Sequence, residues 1–328
     1  LGKVNISENN VGLRLKNLGK KEKRFLLFFL LSKYGQQQIF RVGSGNVQLK
    51  FNVKDIDNLL IPNLSKFDLD YYEKFYNNII FMNTKSKQLY KEAEELLLRE
   101  LGLLDYQIKH ILTFSTTKKE IDEAHRYDSE YFQPKYIEII KKIERYEVIS
   151  LANKEYFKII TGTYSEEYLS TGTNYIRSVN INEDLTIDLD TMYKIQEKID
   201  TRFKVRAGDI LTSRVGSIGT LGYVTDELNG SFISDNILRI RNTCDKLDNL
   251  YLSFYLKKIG TIFMERLQRG SVQQRLNQET LKEIKIPIIK ESIQKQIAEK
   301  IQESHKLRNE SKNLLEEAKR KVEEEIEK

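Results

Sequence analysis

The stretch Ser86-Lys87-Gln88-Leu89-Tyr90-Lys91-Glu92-Ala93 returns 225 residues later as Ser311-Lys312-Asn313-Leu314-Leu315-Glu316-Glu317-Ala318. Working outward at that offset, residues 13–103 align with 238–328 without a gap, and 22 of the 91 positions are identical. Leu13-Arg14 and Asn17 recur as Leu238-Arg239 and Asn242, Gly35 as Gly260, and Arg41 as Arg266. Gly45, Val47, Gln48 and Asn52 recur as Gly270, Val272, Gln273 and Asn277, and Ile61-Pro62 as Ile286-Pro287. A period this long defines duplicated, domain-sized units, not a solenoid. The first copy is short at its N-terminal side, since residues 1–12 match only the end of what precedes Leu238. The chain opens on Leu1 and not on Met, so an upstream segment is expected.

Around the quoted stretch the apolar and small residues follow a heptad. Phe75, Ile79, Met82, Ser86, Leu89, Ala93 and Leu96 are spaced alternately by four and three. The second copy places Ser304, Leu307, Ser311, Leu314 and Ala318 on the matching seam. Small residues there allow two helix backbones to approach closely. Each helix runs for about 35 residues, or roughly 50 Å. An ordinary amphipathic helix facing its own domain is the competing reading, and such helices average about 11–12 residues. The length therefore predicts that residues 68–103 and 291–328 pair as a long antiparallel coiled coil.

Residues 24–34 and 249–259 have helical apolar spacing, and each run is followed by a glycine (Gly35, Gly260) expected to stop it. Short runs ending at Ile61-Pro62 and Ile286-Pro287 read as strands closed by proline. Pro134 opens a short helix over 134–146. From 147 to 242 the chain turns to short β-branched and aromatic runs, at 157–160, 175–177, 210–212, 221–224 and 237–240, broken by Gly, Asn and Asp. The fold class expected is α+β: a mostly β domain plus two long helices in an antiparallel coiled coil, internally duplicated.

Composition limits the chemistry. Of 328 residues, 31% are charged and 40% hydrophobic, with a formal net charge of +6. A basic balance suits a polyanionic partner. The single cysteine, Cys244, permits neither an internal disulfide nor a cysteine zinc cluster, which fits a reducing, cytoplasmic setting. The apolar run from Phe25 to Leu31 is far too short to span a bilayer, and no signal peptide is visible. The three prolines, Pro62, Pro134 and Pro287, form neither a Pro-Pro-aromatic loop nor a Pro-Cys pair, the signatures of DNA adenine and cytosine methyltransferases. No Gly-Lys-Ser/Thr is present to cradle a phosphate. His110, His125 and His305 are far apart and read as solvated surface residues. Asp209 and Asp235 read as turn residues, and Gly216, Gly219 and Gly222 as turns between strands. No catalytic residue and no metal ligand set is assigned.

In its order of elements the chain resembles the specificity subunits of type I restriction–modification systems. Asp128-Ser129-Glu130-Tyr131-Phe132-Gln133-Pro134-Lys135-Tyr136 is similar to the opening of a target-recognition domain. Gly208-Asp209-Ile210-Leu211, followed by Arg214, Gly216 and Gly219, resembles the central strand and turn of such domains. Tyr251-Leu252 through Gly260, Gly270, Val272-Gln273, Ile286-Pro287 and Gln294 resemble the closing segment, and Leu89-Tyr90 through Leu101-Gly102-Leu103 the end of the first conserved helix. The first copy departs from the pattern with Leu69 where the second has Gln294. The resemblance implies the remnant of a first recognition domain over 1–66, the first long helix over 67–103 and a linker over 104–127. A second recognition domain then spans 128–290 and the second long helix 291–328. It further implies a non-catalytic subunit whose two recognition domains each read half of a split site in double-stranded DNA, with the helices as spacer. Modification (methyltransferase) subunits and a restriction (motor-nuclease) subunit would be its partners. The methyl donor and ATP would belong to them, with no cofactor and no membrane contact in this chain.

A β-rich domain without a recognition helix has to read bases with loop side chains. The DNA-contacting candidates are Tyr164, Ser165, Arg177, Asn180, Arg202, Arg214, Ser217, Arg269, Gln273 and Arg275. Thr161-Gly162-Thr163-Tyr164-Ser165 reads as a glycine-hinged loop that probes a groove. Gln273 recurs as Gln48, which suits a structural task shared by both copies. Two other readings remain open: the recognition region of a single-chain restriction–methylation enzyme, and a coiled-coil scaffold unrelated to DNA.

Overall fold

The computed structural model describes residues 12–42, 53–107, 109–196, 200–215, 219–267 and 276–328, and its class is α+β. Helices α1 (Lys20–Leu31) and α2 (Lys33–Val42) lead, through short 3-10 turns, to the long helix α3 (Leu69–Glu100). Short helices α4 (Lys118–Ala124) and α5 (Pro134–Ile143) follow. The strands are β1 (Glu147–Ser150), β2 (Phe157–Thr161), β3 (Thr173–Ile176), β4 (Tyr193–Ile195), β5 (Ile210–Ser213), β6 (Leu221–Tyr223), β7 (Phe232–Ile233) and β8 (Ile237–Asn242). After them come α6 (Asn249–Tyr255), a π-turn (Leu256–Gly260), α7 (Thr261–Leu267), α8 (Gln278–Lys282), β9 (Lys285–Ile288) and the long helix α9 (Glu291–Ile326).

The chain divides into two compact units. One comprises the described residues of Leu1–Gln88 with Glu303–Lys328, and the other comprises Leu89–Gln302. The division therefore passes through both long helices and not at their ends.

In the first unit, α1 turns Phe25, Leu26, Phe28 and Phe29 inward onto Tyr72 and Phe75 of α3 and onto Ala318 and Val322 of α9. Phe25 meets the edge of Tyr72 at 5.0 Å between ring centroids. Each such side chain, fully buried, contributes about 1.5–3 kcal/mol. Farther along the helix pair the seam is polar: Ser86 faces Ser304 at 2.9 Å, and the Asn83 amide donates to Ser311 Oγ at 2.6 Å. Residue 86 against 304 and 83 against 311 fixes antiparallel pairing. In the second unit, Ala93 and Leu97 of α3 share a core with Ile297 and Ile301 of α9, and Lys300 pairs with Glu92 at 2.6 Å, again antiparallel.

The seam corrects one expected position. Leu97, not Leu96, is fully buried; Leu96 only packs against the margin of the core. A straight helix turns every 3.6 residues and drifts from a strict 3.5-residue heptad. Phe75, Ser86, Leu89, Ala93, Ser311 and Ala318 are buried, whereas Ile79, Met82, Leu307 and Leu314 are half-buried. His305 is half-buried as well, not solvated as expected, and burial lowers its pKa to about 4.

The two repeated glycines do not end their helices. The chain breaks at Ser32, whose hydroxyl caps the Phe29 carbonyl at 2.6 Å, and α2 then runs through Gly35. A Cβ on Gly35 would lie 2.3 Å from the Phe29 carbonyl oxygen, so glycine is needed for the close approach of backbone at this corner. Gly260 closes the π-turn, where a Cβ would press on Leu256 at 3.0 Å.

In the second unit, α5, α6, α7 and the ends of α3 and α9 surround one large core. Three antiparallel or mixed sheets lie here, ordered β1-β9, β2-β8-β5-β6 and β4-β3-β7. Pro287 does not close its strand; it sits inside β9, opposite Val148 of β1. A two-stranded ladder has only edges, where a missing N–H is tolerated. The first copy differs, because no described strand pairs with residues 59–63. Ile61 is 49% exposed and Leu27 43%, while their counterparts Ile286 and Leu252 are fully buried.

The segment before α5 acts as a clamp. Gln133, almost fully buried, accepts from Ile111 N at 3.1 Å and donates to Ile111 O at 3.0 Å, pinning the linker strand-fashion. Asp128 accepts from Tyr131 N, and the Tyr131 ring lies between the guanidinium groups of Arg126 and Arg266 at 4.6 and 4.2 Å.

Candidate nucleic-acid interface

The site is built on the four-stranded sheet and held from within by Asp209. This residue, 2% exposed, is not the free turn residue expected from the sequence. Arg241 grips its carboxylate bidentately at 2.7 and 2.6 Å, and Arg206 N donates at 2.8 Å. Arg239, two residues before Arg241 on β8, points to the same side and places Nε 3.7 Å from Asp209. Arg239 also donates to the carbonyls of Lys204 and Arg202 at 2.7 and 3.0 Å. Burial lowers the Arg239 pKa, and the Asp209 charge opposes that shift. The Gly-Asp-Ile-Leu segment is thus an internal clasp between β5 and β8.

The adjacent three-stranded sheet sets the exposed face. Strands β3 and β7 run parallel, with Tyr175 beside Phe232 and Ile176 beside Ile233. Ile176 and Ile233 face one core cluster, and Tyr175 and Phe232 face the other side with Ile195. The next pair in this register is Arg177 and Ser234, and Ser234 N donates to Ile176 O at 2.9 Å. Arg177 lays its guanidinium 3.6 Å above the Tyr193 ring on β4, with Tyr168 at 6.0 Å. The two rings are 4.3 Å apart. Stacking of this kind fixes the plane of the guanidinium.

On the far side of Ser234, residue 163 bridges to it, and Tyr175 Oη donates to Thr163 O at 2.7 Å. Gly162 is packed, not hinged: its N–H donates to Ile237 O at 3.0 Å, and a Cβ there would lie 2.2 Å from Ser234 O. Burial, then the nearby charge of Asp235, pushes the Tyr175 phenol up to about 12. Arg214, from the end of β5, donates its N–H to Asn236 O at 3.0 Å and Nη1 to Asp235 O at 3.2 Å. Ser178 Oγ donates to the same Asn236 carbonyl at 3.3 Å. The turn 234–236 therefore gathers Arg177, Arg214 and the Tyr164 loop from three parts of the chain. Within this group, Arg177 Nε, Arg214 Nε and Ser234 Oγ are buried without a hydrogen-bond partner among the described residues.

The predicted residues fall into four groups. Arg177, Arg214, Tyr164 and Ser165 converge, with Tyr164 66% exposed and Ser165 Oγ donating to Glu167 O at 3.2 Å. Asn180 is corrected: it is fully buried, accepting from Arg177 N at 2.9 Å and donating to Thr191 Oγ1 at 3.0 Å, so it shapes the turn and offers nothing to a duplex. Arg202 lies by the Asp209 clasp, ion-paired with Asp200 at 2.9 Å and stacked on Phe203. Ser217, Arg269, Gln273 and Arg275 lie outside the described residues. Sequence reasoning missed Tyr168, Tyr193, exposed Val179, Asp235 and Asn236. The only local signal for the last two was the polar Ser-Asp-Asn interruption between apolar runs 232–233 and 237–240. Among the described residues no cluster of His, Cys, Asp and Glu could hold a metal ion. No described helix is long and apolar enough to cross a membrane.

The clasped sheet thus presents cations, stacked rings and open polar side chains. The family model of the type I restriction modification DNA specificity domain matches residues 141–320, and the chain belongs to that family. It is similar to a Methanocaldococcus jannaschii protein described as the MjaX specificity subunit of a type I restriction enzyme, 24% identical over 352 residues, spanning 98% of this chain and 73% of that one. It is also similar to the type I restriction enzyme EcoBI specificity subunit of Escherichia coli, 27% identical over 139 residues, spanning 41% of this chain and 29% of that one. The solved S subunit of a type I restriction-modification system from M. genitalium aligns over 92% of this chain and 71% of its own length, at 15% identity and a TM-score of 0.45.

Proposed function

We propose that this chain reads sequence in double-stranded DNA as the specificity subunit of a type I restriction–modification complex. Its β domain would take one half of a split site. The observation that carries this reading is the 234–236 turn, where Arg214 donates to the Asp235 carbonyl and Arg177, stacked on Tyr193, is the register neighbour of Ser234, with the exposed Tyr164 on the adjoining loop, in a chain of formal charge +6. Guanidinium groups supply phosphate contacts, which give affinity and orientation, and bidentate pairing to guanine, which gives preference. The paired helices α3 and α9 would set the spacing between half-sites and carry the modification subunits, with a motor-nuclease subunit joining them. The methyl donor and ATP would be bound by those partners, in the cytoplasm.

The experiment is filter binding of the purified chain to random duplex DNA over a salt series. The expected result is binding whose log affinity falls linearly with log salt, with a slope reduced by about one unit when an arginine that contacts phosphate is removed. Failure to bind duplex DNA at any salt concentration would overturn the proposal and favour a scaffold unrelated to DNA.

A further inference from the structure

The turn Ser234-Asp235-Asn236 is held on both sides while two of its side chains stay open. Its own closing bond runs from Ile237 N to Ser234 O at 2.9 Å. Arg214 N and Ser178 Oγ both donate to the Asn236 carbonyl, and the Arg214 guanidinium donates to the Asp235 carbonyl at 3.2 Å. The backbone of the tip is thus anchored by residues 178 and 214, from two other segments. Meanwhile Asn236 is exposed and Asp235 half-buried, and neither side chain makes a hydrogen bond among the described residues. A rigid backbone with unspent side-chain acceptors is the arrangement that rewards one bound partner over another, since little ordering remains to be done on binding.

The chemistry of the tip narrows what it can meet. A free carboxylate repels phosphate, so Asp235 is not a backbone contact. It can accept only from a donor, and the donors on base edges in the major groove are the exocyclic amines, N4 of cytosine and N6 of adenine. Asn236 carries an acceptor and a donor side by side, which matches N6 and N7 of adenine. The cations that offset the repulsion between Asp235 and the DNA strands are already present, in Arg177 stacked on Tyr193 and Arg214 bound to the turn itself.

We propose that Asp235 and Asn236 are the specificity-determining residues of this face, each accepting a hydrogen bond from the exocyclic amine of a cytosine or adenine in the major groove. This rests on the DNA-reading function proposed above. The turn is the element that discriminates; Ser178 and Arg214 position it, and Arg177 and Arg214 hold the strands.

The test selects bound duplexes from a random-sequence library with the full chain and compares wild type with Asp235→Ala, Asn236→Ala and the near-isosteric Asp235→Asn and Asn236→Asp. The expected result is a wild-type motif containing cytosine or adenine at the affected positions, with preference there falling tenfold or more in each alanine variant. The other positions and total binding to random duplex DNA should be unchanged. Asn236→Asp, which loses the donor, should shift its position from adenine toward cytosine. The isosteric variants keep the test decisive if an alanine variant melts early. Motifs identical to wild type in all four variants would overturn the inference and leave DNA binding standing. A wild-type chain that binds duplex but enriches no motif would also overturn it. A wild-type chain that binds no duplex would overturn the proposed function, and this inference with it.

Discussion

The hydroxyl of Ser86 faces that of Ser304 at 2.9 Å, and Ser304 Oγ also lies 2.9 Å from the Ser86 carbonyl, to which it donates. Ser304 is the repeat counterpart of Ile79, and Ser86 is the counterpart of Ser311. The mate of this contact under the duplication is therefore Ser311 against Ile79, and Ser311 Oγ does approach the Ile79 carbonyl at 3.5 Å. The repeat thus produces a helix pair with approximate two-fold symmetry, and serine at both places keeps the backbones close. Pairing by this symmetry brings Ile79 to Ser311, a full two turns of α9 from Ser304. With Ile79→Cys and Ser311→Cys together, a short thiol crosslinker should link the two helices, while Ile79→Cys with Ser304→Cys should not. The one native cysteine, Cys244, is buried and will not compete. Peptide mapping after crosslinking reads the result, and the reverse pattern would contradict the antiparallel register.

Asp209 sets a second expectation. Replacing it with alanine leaves Arg239, itself 5% exposed at the side chain, and Arg241 without their shared anion. Breaking one side of a buried pair costs about 3–5 kcal/mol, because a charge is left unpaired in a poor dielectric. Asp209→Ala should therefore lower the unfolding free energy of the β domain by that amount, read from urea unfolding as a lower midpoint at an unchanged slope, with α9 and α3 still helical by circular dichroism. A midpoint within experimental error of wild type would show that the clasp carries no stability.

His305 gives a pH dependence with a defined sign. Burial lowers its pKa to about 4 in the folded chain, below the unfolded value near 6.5. The unfolded state then binds more protons between these values, so the contribution to stability is complete above about 6.5 and is lost as pH falls toward about 4. The full span amounts to about 3 kcal/mol as an upper bound. His305→Gln should flatten this limb of the stability curve, measured by urea unfolding at intervals across the window. An unchanged slope would assign the acid sensitivity to carboxylates instead.

Gln294 tests the asymmetry of the repeat. It is 2% exposed, accepts from Asp248 N at 2.9 Å, and donates to the carbonyls of Lys246 and Ile289 at 3.0 and 2.9 Å. Its counterpart in the first copy is Leu69. Gln294→Leu would leave a buried N–H and two carbonyls short of partners, at a cost of about 1–3 kcal/mol. Hydrogen exchange should report faster opening of amides 246–250 before any loss of the α9 helix. Protection equal to wild type would remove Gln294 as the tie between α9 and that loop.

Much of this architecture was present in local patterns. The 225-residue repeat, both long helices, Pro134 at the start of α5 and the strand runs at 157–160, 210–212 and 237–240, which lie within β2, β5 and β8, follow from periodicity and turn residues. These signals are local because a helix or strand has to place its apolar residues on one face whatever it packs against. The limits were local too. A glycine reads as a helix stop until the backbone crossing it is known, which is why Gly35 and Gly260 misled. A heptad read over many turns drifts by one residue, which is why Leu96 stood for Leu97.

What only tertiary structure decided are the neighbours across the chain. Nothing near Arg177 in sequence announces that Ser234 lies beside it, because that depends on a parallel β3–β7 register between segments 57 residues apart. Asp209 looks like any turn aspartate until β8 brings Arg239 and Arg241 against it. Asn180 carries the residue type of an adenine reader, yet its amide is spent inside the turn on Arg177 N and Thr191. Composition and motif could nominate polar side chains, but whether a given one faces solvent or completes a buried hydrogen bond is set by non-local packing. The sequence determined which elements form; the packing of β3, β7 and β8 decided which of their side chains were left free to recognise anything.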